Sequence, residues 1–328
     1  RTGSNPPSGM SSHWFAGDGM VHGVRLDAGN AVWYRNRYVQ TTKFLRGLDA
    51  TDPDVFADPT AGSGNTSVLA HAGRIWALEE LHLPYELSPE LETLGCDNFD
   101  GKLTTAFTAH PKLDPDTGEL HAICYDWANL RDHVRYVIID EDGDLAEETE
   151  IPLPGMTMIH DMSLTKNYAV IFDLPVTLSF LALGTGSSLP FRWDPEHEPR
   201  VGLLPRGGSA KEIIWSPIKP NYAYHPMNAF EDDGGNVVID IVRYDKMFDK
   251  DVNGPFGDSL PRLDRWTINP STRTVREEIV DERTQEFPRC HPALNGKAYR
   301  YGYTVGVETT TGPLGAGISN AVGMAIAE

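Results

Sequence analysis

Short runs of apolar and aromatic residues, separated by polar turn clusters, set the pattern of this chain. AVWYRNRYVQT (31–41), RIWALEE (74–80), LHAICYDW (120–127), VRYVIID (134–140), YAVIFDL (168–174), NVVIDIVRY (236–244) and LDRWTINP (263–270) are rich in β-branched and aromatic side chains. Such residues fit a pleated, half-buried surface, so each run predicts a strand. DPDTGEL (114–120), DEDGDL (140–145), EDDGGN (231–236) and NPSTRTV (269–275) place Asp, Asn, Gly, Pro and Ser where tight hairpins need them. NPPSGMSSHWFAGDGMVHGVRL (5–26) joins a Gly-rich turn to an alternating strand. Amphipathic helical runs longer than ten residues are nearly absent before residue 310. Many short strands at fairly even spacing predict an all-β sandwich, barrel or propeller. There is no strict repeat, and spacing alone does not choose among the three.

Two stretches depart from this pattern. PVTLSFLALGTGSSLPF (175–191) is an apolar run ending in Gly and Ser. It reads either as a strand followed by a buried loop, or as an apolar lip that touches a membrane or admits a lipid-like substrate. GVETTTGPLGAGISNAVGMAIAE (306–328) is Gly-rich and then Ala-rich, and from Ile318 it predicts a helix of small residues.

Composition narrows the function. A chain of 328 residues forms one large domain or two ordinary ones, and 40% hydrophobic residues supply a sizeable core. A formal charge of −19 argues against a nucleic-acid partner, which needs clustered Lys and Arg to neutralise phosphates. It suits a soluble, self-repelling cytosolic protein. No run of eighteen apolar residues offers a membrane-spanning helix. Cys96, Cys124 and Cys290 are odd in number and widely spaced, which fits neither a disulfide framework nor a zinc site, and implies a reducing compartment.

Candidate chemistry rests on histidines. Of eleven, His110, His160 and His225 share a setting (TAHPKLDP, MIHDMSLT, AYHPMNAFED), each followed by Pro or Asp and then by residues able to fix a loop. Each reads as a structural histidine or as a metal ligand. A histidine-only iron site needs neutral imidazoles on a rigid scaffold, and acceptors for their outward N–H groups. Glu80 and Glu286, beside apolar runs, are candidate acceptors; the alternative is that they are solvated. His71, His82, His133 and His197 receive no role, and His13 and His22, flanking GDG, are expected to hydrogen-bond locally. There is no G-x-S-x-G elbow, P-loop, C-x-x-C or H-E-x-x-H. GSGNTS (62–67) lacks the P-loop lysine and precedes a strand.

Taken together, HWFAGDGMVHGVRL, YRNRYVQTTKF, NTSVLAHAGRIWALEELHLPYELSPELETLG, TAHPKLDPDTGELHAICYDW, IHDMSLTKNYAVIFDLPV, WDPEHEPRVGLLPR, YHPMNAFED and EFPRCHPALNGKAYRYGY resemble a carotenoid cleavage oxygenase of bacterial type over residues 1–305. The resemblance implies a seven-bladed β-propeller with Fe2+ on its axis, held by four histidines, three of them backed by glutamates. It also implies cleavage of a carbon–carbon double bond by O2 to two carbonyl products, with an apolar polyene as substrate. By motif, His110, His160 and His225 match three ligands, and Glu80 and Glu286 match two backing glutamates.

The sequence departs from the family pattern in several places. RTGSNP resembles the family's Arg-Asn-Gly-Pro-Asn-Pro segment, so preceding chain is expected to be missing. The fourth histidine and third glutamate do not follow YRYGY, so the propeller is expected to be incomplete. His291 is the one stand-in considered. Residues 306–328 instead resemble the thiamine-diphosphate-binding segment of transketolase, which implies a chimera with a non-native helical tail, divided at 1–305 and 306–328. Stilbene-cleaving members carry Lys where this chain has Glu79, and that favours a polyene. The alternatives are a stilbene-cleaving dioxygenase and a catalytically inactive propeller remnant. The expected location is cytoplasmic, with peripheral membrane contact through 175–191.

Overall fold

The structure is a computed structural model that describes residues 14–306, apart from 127, 128, 130, 188 and 253. Among the described residues four sheets are four-stranded, antiparallel throughout. The first is built from Ser67–His71, Arg74–Leu78, Tyr85–Leu87 and Thr93–Cys96. The second is built from Lys112–Leu113, Leu120–Tyr125, His133–Ile139 and Leu145–Pro152. The third is built from Ser163–Leu164, Tyr168–Asp173, Arg200–Pro205 and Ile214–Pro217. The fourth is built from Pro226–Glu231, Val237–Arg243, Arg262–Asn269 and Thr274–Asp281. Two-stranded ribbons pair Met20–Asp27 with Asn30–Tyr38 and Gln285–Cys290 with Gly302–Gly306. A third, Val176–Leu178 with Phe191–Trp193, is inserted within the third sheet's sequence. Four-stranded meanders of this kind are the blade unit of a β-propeller, and the all-β expectation holds.

Burial follows strand position. The second strands, LHAICY and VVIDIVR, are buried at every residue, whereas the last strands, LAEETEIP and TVREEIVD, are mostly exposed. Apolar clusters fill the spaces between sheets. Trp76 and Leu78 of the first sheet pack with Leu120, Val137 and Ile139 of the second, and a larger cluster runs from the second sheet through the fourth. Charges inside are paired: Asp173 accepts from Thr157 Oγ1 (2.9 Å), His197 Nε2 (2.8 Å) and Arg200 Nε (2.7 Å). Asp240 and Arg265 form a bidentate pair at 2.7 and 2.8 Å.

Five of the seven expected strands are present within two residues at each end, and the strand expected at 31–41 ends three residues early, at Tyr38. The seventh, Leu120–Tyr125, ends earlier, and the expectation for Trp127 lies outside the described residues. The four expected hairpin turns join neighbouring strands. Residues 175–191 correct the buried-loop reading: the strand leads into a five-residue helix, Phe180–Gly184, capped by Ser179, and Phe180 and Leu181 are 64% and 80% exposed. The three cysteines are unpaired thiols. No helix among the described residues is long and apolar enough to cross a membrane. His13 and the tail after Gly306 lie outside the described residues.

Candidate metal centre

Three loops deliver the three histidines. His110 precedes Lys112–Leu113, His160 precedes Ser163–Leu164, and His225 precedes Pro226–Glu231, so each enters the first strand of a successive sheet. The first strands of the third and fourth sheets touch, and the latter touches Gln285–Cys290, so these strands face a common hub.

At the hub the imidazoles converge. Ring centroids lie 4.6 Å (His110–His160), 5.1 Å (His110–His225) and 5.0 Å (His160–His225) apart, with planes at 61°, 84° and 77°. One nitrogen from each lies within 4.8 Å of the others, and the Nε2 atoms of His110 and His160 are 3.0 Å apart. Two nitrogens ~2.1 Å from one ion at right angles are separated by about 3.0 Å. Three convergent imidazoles are a donor set that suits a divalent transition ion, so the residues fit a metal.

Glu80 and Glu286 each meet a histidine of the hub, and neither is solvated as the alternative had it. Glu80 Oε2 lies 2.6 Å from His160 Nδ1, and Glu286 Oε2 lies 2.8 Å from His225 Nδ1. Their side chains are 16% and 3% exposed. Glu286 is itself held: Tyr244 Oη donates to Oε1 at 2.9 Å, and the Phe287 N–H donates to Oε2. Burial disfavours the Glu286 carboxylate, but His225 and these donors hold its carboxyl below the usual range. Burial, then the neighbouring His160 and His225, pushes His110 well below the usual imidazole value. Burial also lowers His225, with Glu286 offsetting only part. For His160 burial is outweighed by Glu80, and the value rises. These lowered values favour neutral His110 and His225, the form that ligates metals.

Several readings from sequence are settled here. His291 does not reach the hub: it caps the short turn Pro292–Leu294 by accepting the Ala293 N–H, so it is no fourth member of the cluster. His71, His133 and His197 bond Asp140 O, Asp126 and Asp173, and His22 bonds Tyr34 Oη at 2.6 Å, all structural roles. Glu79 is not a free anion, because its carboxylate pairs with His82 Nδ1. Burial opposes the His82 charge, but Glu79 raises its pKa. Sequence reading missed Tyr224, which packs edge-on against His160 (5.1 Å, 90°), and Tyr244; neither carries a motif signal. A second acidic group, Asp114, Glu119 and His121, also converges. Arg206 sits in it, 2.5 Å from Asp114 and 3.3 Å from both Glu119 and His121, and its charge takes the place a cation would need.

Blade-like sheets around a hub of three imidazoles define the class, a β-propeller with a histidine-lined centre. The chain belongs to the carotenoid cleavage oxygenase family: the family described as retinal pigment epithelial membrane protein (RPE65) matches residues 1–324. It is 42% identical to a carotenoid cleavage oxygenase of Mycobacterium tuberculosis over 94% of this chain and 71% of that protein. Among solved structures, the lignostilbene dioxygenase of Pseudomonas brassicacearum superposes with a TM-score of 0.83 at 30% identity, covering 95% of this chain and 70% of that one. Cobalt-substituted Synechocystis ACO gives 0.80 at 27% identity, covering 95% and 72%.

Replacing Glu286 by Ala strands the buried His225 N–H and the Tyr244 hydroxyl. Glu286→Ala is expected to lower stability by about 1–3 kcal/mol, and Glu286→Gln by less, read from chemical denaturation of the metal-free chain.

Proposed function

We propose that His110, His160 and His225 hold one Fe2+ ion, and that the chain is a non-haem iron dioxygenase cleaving a carbon–carbon double bond of a carotenoid or apocarotenoid. The carrying observation is the convergence of three buried imidazoles from successive sheets, two of them on buried carboxylates. Overall, the double bond breaks and each of its carbons takes one oxygen atom of O2, giving two carbonyl products. Iron held by His110, His160 and His225 would supply a site for binding and activating O2.

The chain's own residues prepare that site. Glu80 and Glu286 accept the Nδ1–H of His160 and His225, which leaves the Nε2 lone pairs aimed at the hub. Tyr244 fixes Glu286. Tyr224, buried, covers the flank of His160. A stilbene-cleaving activity is the second reading, and likeness to lignostilbene dioxygenase favours it. Against it, Glu79 stands where stilbene-cleaving members carry Lys, and paired with His82 it offers a phenolate no cation. Among the described residues the cluster holds three histidines, which keeps the inactive-remnant reading as a defined outcome.

Metal analysis with O2 uptake on an apocarotenal separates these. Stoichiometric iron with turnover is expected, and His160→Ala is expected to abolish bound iron. Turnover of a stilbene alone would transfer the activity to the second reading, and absence of iron or of turnover would leave a remnant.

We also propose that the chain is cytoplasmic and touches a membrane peripherally through 175–191. The exposed Phe180 and Leu181 support contact with an apolar phase. The double variant Phe180→Ser, Leu181→Ser is expected to bind neutral lipid vesicles about tenfold or more weakly, measured by co-sedimentation; equal binding discards the contact.

The local likeness of 306–328 to transketolase supports a separate proposal, a junction near Val307 between two coding sequences. The family match runs to residue 324, across most of this stretch. One uninterrupted read of the source DNA across Val307 tests it: an intact oxygenase frame shows an artefact, and a continuous read into the tail shows a natural one.

A further inference from the structure

The third sheet's His160 and the fourth sheet's His225 each lean on a carboxylate. Among the described residues no carboxylate bonds His110; its ring lies against His160 and His225, and its backbone N–H donates to Thr108 Oγ1 at 3.2 Å. Nor does the backbone fix it firmly against its neighbour. The first strands of the third and fourth sheets lie close together, whereas Lys112–Leu113 approaches Ser163–Leu164 much less. His110 therefore needs another restraint if its Nε2 is to stay 3.0 Å from that of His160.

One ion pair spans that gap. Lys112, two residues after His110, places Nζ 2.7 Å from both oxygens of Asp161, the residue after His160. Asp161 Oδ1 also accepts the Met162 N–H at 2.6 Å. The Asp161 side chain is fully enclosed and that of Lys112 is 15% exposed. Burying two charges costs desolvation that the attraction between them barely offsets, so such a pair is poorly explained as a stabiliser. It is well explained as a device that sets the register of two segments.

We infer that the Lys112–Asp161 ion pair is a positioning device that holds the His110 loop against the His160 loop, and so sets the spacing of two metal-binding imidazoles. The inference rests on the metal reading above. Lys112 and Asp161 act through the histidines and touch no reacting atom. A shift of about an ångström in a supporting group is enough to spoil a site of this kind.

The experiment uses the full chain without metal, titrated with Co2+ and followed by its visible ligand-field bands, with thermal unfolding as the control for folding. Lys112→Met is expected to weaken Co2+ binding about 10- to 100-fold and to shift the bands. Lys112→Arg, which keeps the charge, is expected to restore most of the affinity. A folded Lys112→Met chain with wild-type affinity and bands overturns the inference. If Lys112→Met does not fold, Asp161→Asn carries the same measurement, with weaker binding and shifted bands expected and unchanged binding overturning. If both substitutions only unfold the chain, the pair is structural and the inference falls. Wild-type chain that takes up no Co2+ overturns the metal reading itself, and this inference with it. Wild-type binding beside unaltered variants overturns the inference alone.

Discussion

The hub depends on the hydrogen bond from a buried imidazole to a buried carboxylate. A neutral histidine has two tautomers, and only one presents Nε2 as a lone pair. Glu80 and Glu286 lie at Nδ1 of His160 and His225, where a carboxylate favours an Nδ1–H and, in the neutral ring, a free Nε2. The cost is two carboxylates taken out of water, and the fold offsets it with further donors, most visibly Tyr244 and the Phe287 N–H on Glu286. The sheets are arranged so that these partners meet. Glu80 follows the second strand of the first sheet and serves a histidine of the third; Glu286 lies in the strand after the fourth sheet and serves the fourth.

The same solution recurs away from the hub. Asp126, Asp173, Asp240 and Asp264 are all buried, and each is met by Arg or His from a neighbouring strand. A chain with a formal charge of −19 thus pairs these interior carboxylates and carries further acidic residues on its outer strands. Those strands carry acidic and basic side chains on an edge that would otherwise be open to pairing with another chain.

This division explains what could be read in advance. Apolar central strands such as Tyr168–Asp173 and Val237–Arg243 announce themselves, because burial on both faces demands β-branched residues. LAEETEIP and TVREEIVD do not, because a solvated edge strand has the composition of a loop. Lys112–Leu113 and Ser163–Leu164 are too short to show any period. The histidine settings were visible, but their partners lie 80 and 61 residues away, beyond any spacing rule, and only likeness to a family joined them. Paired charges are equally silent: nothing in LEELH shows that Glu79 turns to His82 while Glu80 turns to the hub.

The three histidines lie 50 and 65 residues apart in the chain. An ion gripping all three acts as a hoop around separate staves, closing two long loops at one point. In the unfolded chain that closure carries an entropic cost that grows with loop length, so the grip is available only to the assembled ring. If the proposed ion binds there, mass action would raise the folded fraction with its free concentration, and metal supply would help determine how much protein persists.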